Sequence, residues 1–202
     1  MIVADHQTAG RGRLDRKWDA PPGANLLVSL LFRLHSSRPL HHCTHIVGLA
    51  ARAACHTVFD VRPELKWPND LLIDGRKVAG ILAQGGDGFV VGGIGVNVGW
   101  APEGAARLVE DETVDGQGRP LQLLSAMLVE VDIHESMSRD ELHAAYQAQL
   151  ATIGKRVRVE MTAGKVIEGV AVGVDVDARL EVKADDGVVI RVEVGDVIHL
   201  RT

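Results

Sequence analysis

The chain has 202 residues, 46% of them hydrophobic and 24% charged, so it holds material for a packed core and is not a disordered polymer. Its net charge of −5 excludes wholesale electrostatic attachment to nucleic acid but leaves room for a local basic loop that holds a small anion. No apolar run approaches the ~18 residues of a membrane span. The first ten residues also lack the basic flank and apolar centre of a signal peptide, and the two cysteines make neither a disulfide framework nor a CxxC pair, so a cytoplasmic protein with reduced thiols is expected.

In chain order, Met1 to Ala4 is apolar and β-branched and reads as a strand running into a polar loop rich in Gly and Arg. Asn25 to Phe32 is an almost continuous apolar run of strand length. Ile46 to Phe59 carries Ala-rich apolar spacing that predicts a helix, and Leu65 to Trp67 is a short strand broken by Pro68. Asp70–Ile73 and Lys77–Gln84 flank Asp74-Gly75, the two-residue signature of a β-hairpin. Gly85 to Gly88 reads as the next turn, and Phe89 to Val98 as a glycine-studded strand. Glu103 to Gly118 is polar and acidic and reads as a loop, with Glu110-Asp111-Glu112 as solvated charge. Leu121 to Leu150 is helical in pattern, as two helices meeting near Ser136–Ser138. Beyond Thr152-Ile153-Gly154 the composition changes to five short β-rich runs, at 156–161, 166–174, 180–183, 188–194 and 197–200, parted by turns such as Ala163-Gly164. Strands at that spacing predict a small barrel.

Two segments concentrate chemistry. In Gly10-Arg11-Gly12-Arg13 the glycines let backbone approach a ligand, while the arginines offer planar forks that match phosphate or carboxylate oxygens. Arg16, Lys17 and Trp18 follow at once. The alternative is a solvated basic loop. The segment is not a P-loop, and neither it nor Gly93-Ile94-Gly95 completes a G-x-G-x-x-G fingerprint. The second segment is Lys66-Trp67-Pro68-Asn69-Asp70 followed by Lys77-Val78-Ala79-Gly80. Pro68 turns Asn69 and Asp70 out at a bend, and the hairpin brings Lys77 to the same end of the sheet. Amide, carboxylate and ammonium together suit a substrate with anionic and polar ends, whereas the plainer reading is a hairpin with surface charges. Trp67 reads as a packing residue. The cluster His35, His41, His42, Cys43, His45 puts two imidazoles one helical turn apart. No further ligand stands at motif spacing, so it reads as a solvated helix start rather than a zinc site.

GRGRLDRKW, KWPNDLLIDGRKVAGIL and GGIGVNVG, in that order and spacing, resemble the biotin protein ligases over nearly the whole chain. The resemblance implies an α+β fold. Residues 1–151 would form a catalytic core like that of class II aminoacyl-tRNA synthetases, and 152–202 an SH3-like β-barrel that supports ATP use and carrier docking without lending groups to the reaction. It implies ATP-dependent conversion of biotin to biotinyl-5′-AMP, with Mg²⁺ accompanying ATP, and transfer of biotin to a lysine of a biotin carboxyl carrier protein. Carried over by motif, Lys77, Arg11, Arg13 and Asp70 would serve the chemistry. Gln7, Gly10, Arg11, Lys77 and Gly80 would meet biotin, and Arg13, Arg16, Trp18, Asn69 and Asn97 would meet ATP or the adenylate. No residue is assigned to a metal.

The family places a helix and strand with a Ser/Thr-containing biotin contact ahead of the residue matching Met1. The sequence as given therefore implies an incomplete catalytic unit that loses biotin affinity more than ATP affinity. The DNA-binding helix-turn-helix of some members has no counterpart, so no DNA or membrane partner is expected, and Leu14 stands where some members carry another arginine. The rival readings are a non-catalytic homologue that binds carrier or adenylate, and a lipoate–protein ligase.

Overall fold

A computed structural model describes residues 1–33, 39–109, 118–161, 164–193 and 195–200. The predicted Glu110-Asp111-Glu112 stretch, His35, Ala163 and the end of the 188–194 run at Val194 lie outside the described residues. The chain is α+β, built on two antiparallel sheets.

The first sheet holds β1 (Ile2–Ala4), β2 (Leu26–Arg33), β3 (Glu64–Lys66), β4 (Asp70–Ile73), β5 (Arg76–Gly86) and β6 (Phe89–Val96), in the order β1-β2-β6-β5-β4-β3. The β4–β5 hairpin turns at Asp74-Gly75 as the sequence predicts, with φ of 50° and 73°, the paired positive values of a two-residue turn that matches strand twist. Gly85 and Gly86 are still paired, to Val90 and Phe89, so the predicted turn there shrinks to Asp87-Gly88. Glycine stays extended where a larger residue lies over it: a Cβ on Gly86 would collide with the Phe89 ring.

Helices α1 (His41–Phe59), α2 (Arg119–Glu135) and α3 (Arg139–Ala148) accompany this sheet, with α1 packed on β3–β6 and against α2 and α3. Its small residues permit close seating; a Cβ on Gly48 would stand 3.2 Å from Leu65 and 3.4 Å from Ile81. The helix starts five residues earlier than the apolar pattern indicates, because His42, Cys43 and His45 are buried rather than solvated. The His45 ring stacks on Tyr146 of α3, with centroids 3.7 Å apart. The reading of this cluster as a solvated helix start is therefore corrected. The α2–α3 break falls at Ser136–Ser138 as expected and is fixed by a capping box. Glu141 N donates to Ser138 Oγ at 3.3 Å, and Ser138 N donates to Glu141 Oε2 at 2.9 Å.

The second sheet comprises β7 (Arg156–Glu160), β8 (Val166–Val174), β9 (Leu180–Lys183), β10 (Val189–Val192) and β11 (Asp196–His199), in the order β10-β9-β8-β7-β11. Alternation along β8 buries Ile167 and Ala171 and exposes Val166, Val170 and Val172, as a one-sided antiparallel strand requires. Thr152, fully buried, joins the sheets: its Oγ1 accepts from Trp67 N at 3.1 Å and lies 3.3 Å from His199 Nε2. No helix among the described residues is long and apolar enough to cross a membrane.

Candidate functional site

A cleft of about 670 Å³ opens where the glycine-bearing middle of β5 and β6, the arginine loop, the 66–70 bend and the near edge of the second sheet meet. Its floor is the run of Gly80, Gly93 and Gly95. Trp18 lies against that floor, since a Cβ on Gly95 would run into the indole and one on Gly80 would stand 3.2 Å from it. Glycine is needed here so that an aromatic ring can reach the backbone.

The arginine loop folds back on itself like a small hairpin. Trp18 N donates to Gly10 O at 3.0 Å and Gly12 N to Arg16 O at 2.6 Å, while Arg11 bridges to Lys17. Gly10 is required by packing, since a Cβ there would strike the Trp18 carbonyl and stand 2.9 Å from Gln7 Oε1. Leu14, at the tip, is held at φ 55°, a conformation that a side chain resists. Arg13 reaches across the cleft, with Nη1 donating to Asn69 Oδ1 at 3.2 Å and Nη2 to Gly195 O at 3.5 Å. Burial holds its guanidinium below the usual range, against the opposing pull of Asp196 and Asp70.

The opposite wall is the 66–70 bend. Trp67 is 2% exposed, and its Nε1 donates to Ala178 O at 2.9 Å, which makes it the packing residue expected. Asn69 is fixed to the neighbouring strand, with Nδ2 donating to Ile81 O at 2.6 Å and its carbonyl accepting from Ile81 N at 2.9 Å. Asp70 opens β4, and Lys77, two strand positions beyond the hairpin turn, closes on it with Nζ 2.6 Å from Asp70 Oδ1. The same ammonium sits 5.7 Å from the Trp18 ring centre. Lys66 joins them; burial lowers its pKa, with Asp70 acting the other way. Arg11, Arg13, Arg16, Lys17, Lys66 and Lys77 thus face Asp70, Glu160 and Asp196 in one cleft, an excess of cations on an acidic chain. Such a site can grip a polyanion and a carboxylate side by side.

Of the residues singled out by sequence, Gln7, Arg11, Arg13, Arg16, Trp18, Asn69, Asp70, Lys77 and Gly80 line the cleft, and Gly10 stands directly behind Gln7. Asn97 is not brought to the wall. It is 2% exposed; its Nδ2 donates to Ala106 O at 3.0 Å, and its Oδ1 accepts from Asn25 Nδ2 at 3.4 Å. Asn97 directly follows β6, the loop beyond it folds back on the sheet, and the amide is consumed in holding that loop.

Sequence reasoning missed Glu160 and Asp196. The C-terminal strands bring Glu160, Asp196, Val197 and Ile198 to the cleft, with Asp196 Oδ2 accepting from Arg16 Nη2. No local signal marks Asp196, because it reaches the cleft only when β11 pairs with β7.

Residues 1–99 match the Biotin/lipoate A/B protein ligase family, and residues 152–200 match the Biotin protein ligase C terminal domain. The Biotin--[acetyl-CoA-carboxylase] ligase of Mycobacterium tuberculosis (strain ATCC 25618 / H37Rv) is 37% identical over 212 residues, covering 100% of this chain and 79% of that protein. The Bifunctional ligase/repressor BirA of Escherichia coli (strain K12) is 30% identical, covering 99% of this chain and 66% of that one. Among solved structures, the biotin protein ligase from Aquifex aeolicus in complex with biotin and ATP superposes with a TM-score of 0.80 at 26% identity, over 99% of this chain and 88% of that one. With a glycine-floored, cation-rich cleft between its two sheets and relatives of this likeness along its whole length, the chain belongs to the biotin protein ligase family.

Proposed function

We propose that the chain activates biotin with ATP and transfers the biotinyl group to a lysine of a biotin carboxyl carrier protein. The observation that carries this reading is the Lys77–Asp70 pair facing the arginine loop over a glycine floor. In the first step a carboxylate oxygen of biotin attacks the α-phosphorus of ATP, and pyrophosphate leaves with the electron pair of the broken P–O bond. Both reactants are anions, so their approach needs fixed positive charge that requires no reorganisation. Lys77, at the junction of floor and bend, is the cation that meets carboxylate and α-phosphate together. Arg11 and Arg13 fork onto their oxygens, and Arg16 takes the distal phosphates. Gln7 and the glycines at 10 and 80 border the ring system of biotin, and Trp18 offers its cleft face to adenine.

In the second step the carrier's lysine amine attacks the acyl carbon of the mixed anhydride, and AMP leaves. Asp70 orients the amine and takes its proton once Lys77 has turned to the phosphates. Asn69 braces Arg13. Loop closure keeps water from the anhydride.

Mg²⁺ supplies charge neutralisation on the phosphates when ATP is bound. Asp70 and the Asn69 side-chain oxygen are the groups that would stand nearest such an ion, and so sparse a donor set would suit one carried in on the nucleotide. Among the described residues no group of three or more His, Cys, Asp or Glu side chains forms a ready metal cage.

The finer fold follows the same reading: 1–151 as a class II synthetase-like catalytic unit and 152–202 as an SH3-like barrel. The six-stranded sheet with its helices and the match over 152–200 support it. The unpaired, buried Cys43 and Cys55 support a reducing, cytoplasmic setting. The test is biotin-dependent exchange of pyrophosphate into ATP, together with biotinylation of a carrier domain in Mg²⁺. Exchange with lipoate and none with biotin would move the chain to the lipoate ligases, and adenylate binding without turnover would make it a non-catalytic homologue.

A further inference from the structure

The arginine loop is already holding an anion. Arg16 Nη2 donates to Asp196 Oδ2, and the neighbouring Gly195 carbonyl accepts from Arg13 Nη2 at 3.5 Å. One acceptor opens β11 of the second sheet and the other directly precedes it, and both donors come from the loop read above as the phosphate grip.

The two sides of this clasp are not equally fixed. Asp196 opens β11 and is paired in register with Glu160 of β7. Gly195 is pressed onto the same strand so closely that a Cβ would stand 2.7 Å from Val159 Cγ1 and 3.2 Å from Glu160 O. The loop side hangs on its own short hydrogen bonds, with the Arg16 side chain 65% exposed against 28% for Asp196. Asp196 also faces Arg13 and Lys66, whose charges it favours. A carboxylate on a paired strand thus meets cations of a loop whose bonds to the rest of the molecule run through side chains.

We infer that Asp196 is a built-in competitor for the phosphate site. It holds Arg16 while the nucleotide is absent, must be displaced by the incoming triphosphate, and recaptures Arg16 when pyrophosphate leaves. It is a positioning residue that acts through Arg16 and sets the apparent affinity for ATP and pyrophosphate below what the arginines alone would give. No bond to substrate is asked of it.

The inference rests on the reading of the loop as the phosphate grip, and the experiment separates the two. Asp196→Asn in the full chain should lower the KM for ATP and the inhibition constant of inorganic pyrophosphate by about three- to fivefold, the size appropriate to a partly exposed ion pair. The KM for biotin and the melting temperature should stay near those of the parent. Asp196→Glu, which keeps the charge, should leave the KM for ATP near the parent value.

A raised or unchanged KM for ATP in Asp196→Asn, with pyrophosphate inhibition unmoved, overturns the inference and makes Asp196 a scaffold. Arg16→Ala serves as the control. If it leaves the KM for ATP unchanged, the phosphate-grip reading itself fails. If it raises that KM while Asp196→Asn does not lower it, only the competitor role fails. Should Asp196→Asn not fold, hydrogen exchange on the parent chain decides. Inorganic pyrophosphate should slow exchange at 11–17 and quicken it at 196–199, and no change in either segment overturns the inference.

Discussion

The arginine loop and the 66–70 bend face each other across one cleft, and they are held in opposite ways. The bend hangs from Trp67, which is buried and tied to Thr152 and Ala178. Asn69 is tied to Ile81, and the Pro68 carbonyl accepts from Tyr146 Oη at 3.4 Å. The loop has an exposed Leu14 at its tip in a left-handed conformation, and its bonds to the rest of the molecule run through arginine side chains. One wall is therefore part of the core and the other is a flap. On the proposed reading, the fixed wall would set where the reacting atoms meet, and the flap would decide whether they stay.

The hardest blow to that comparison falls on the fixed wall. Trp67→Ala should remove about 3–5 kcal/mol of stability, as for other buried aromatic truncations, and denaturant unfolding measures it. An equal loss in Arg13→Ala would erase the distinction between wall and flap. Next in size, Lys77→Ala should slow adenylate formation by about 10²–10³-fold, roughly 3–4 kcal/mol of transition-state stabilisation, with the fold intact because this side chain is partly exposed. Near-full pyrophosphate exchange in that variant would assign the bridging cation elsewhere.

Acid should loosen the fixed wall. His45 is buried beside Tyr146, and burial, helped by His41, His42 and His143, keeps its pKa well below 6.5. The unfolded chain takes up this proton below pH 6.5 and the folded chain does not. Stability is thus unaffected above that pH and falls as pH drops below it, by up to about 1.4 kcal/mol per pH unit. His199, lowered to about 4 by burial and by Lys155 and Lys66, adds a smaller loss between pH 6.5 and 4. Thermal melts from pH 7.5 to 5 check this, and His45→Gln should flatten the profile. Equal acid sensitivity in that variant would place the titrating group elsewhere.

The smallest stability effect belongs to the flap. Arg13→Ala should change the melting temperature little, yet let biotinyl-adenylate escape into solution, which quench-and-chromatography assays would read directly. Full retention of the intermediate would show that the flap closes without this fork.

Local chemistry made much of this legible from sequence. Asp74-Gly75 specified its own turn, and the two motif segments carried dense, unusual residues. Contacts formed only by folding stayed hidden. His42 and His45 are polar by type, yet both are buried, and His45 is stacked on a tyrosine about a hundred positions away. Asn97 looks like a ligand contact until the loop at Ala106 folds back onto it. Asp196 lies 180 residues from Arg16, and nothing near it in the chain announces the meeting.

The passage from α3 into the second sheet has one more consequence. Leu150 bridges Leu65 in parallel, Ala151 N donates to Leu65 O at 2.8 Å, and Thr152 Oγ1 accepts from Trp67 N. Strand β3 lies last in its sheet, a position where unpaired backbone groups invite a strand from another molecule. Here the chain's own connecting segment has taken those groups. The molecule thereby closes one border of its larger sheet to intermolecular strand addition, using residues that also seat the 66–70 bend.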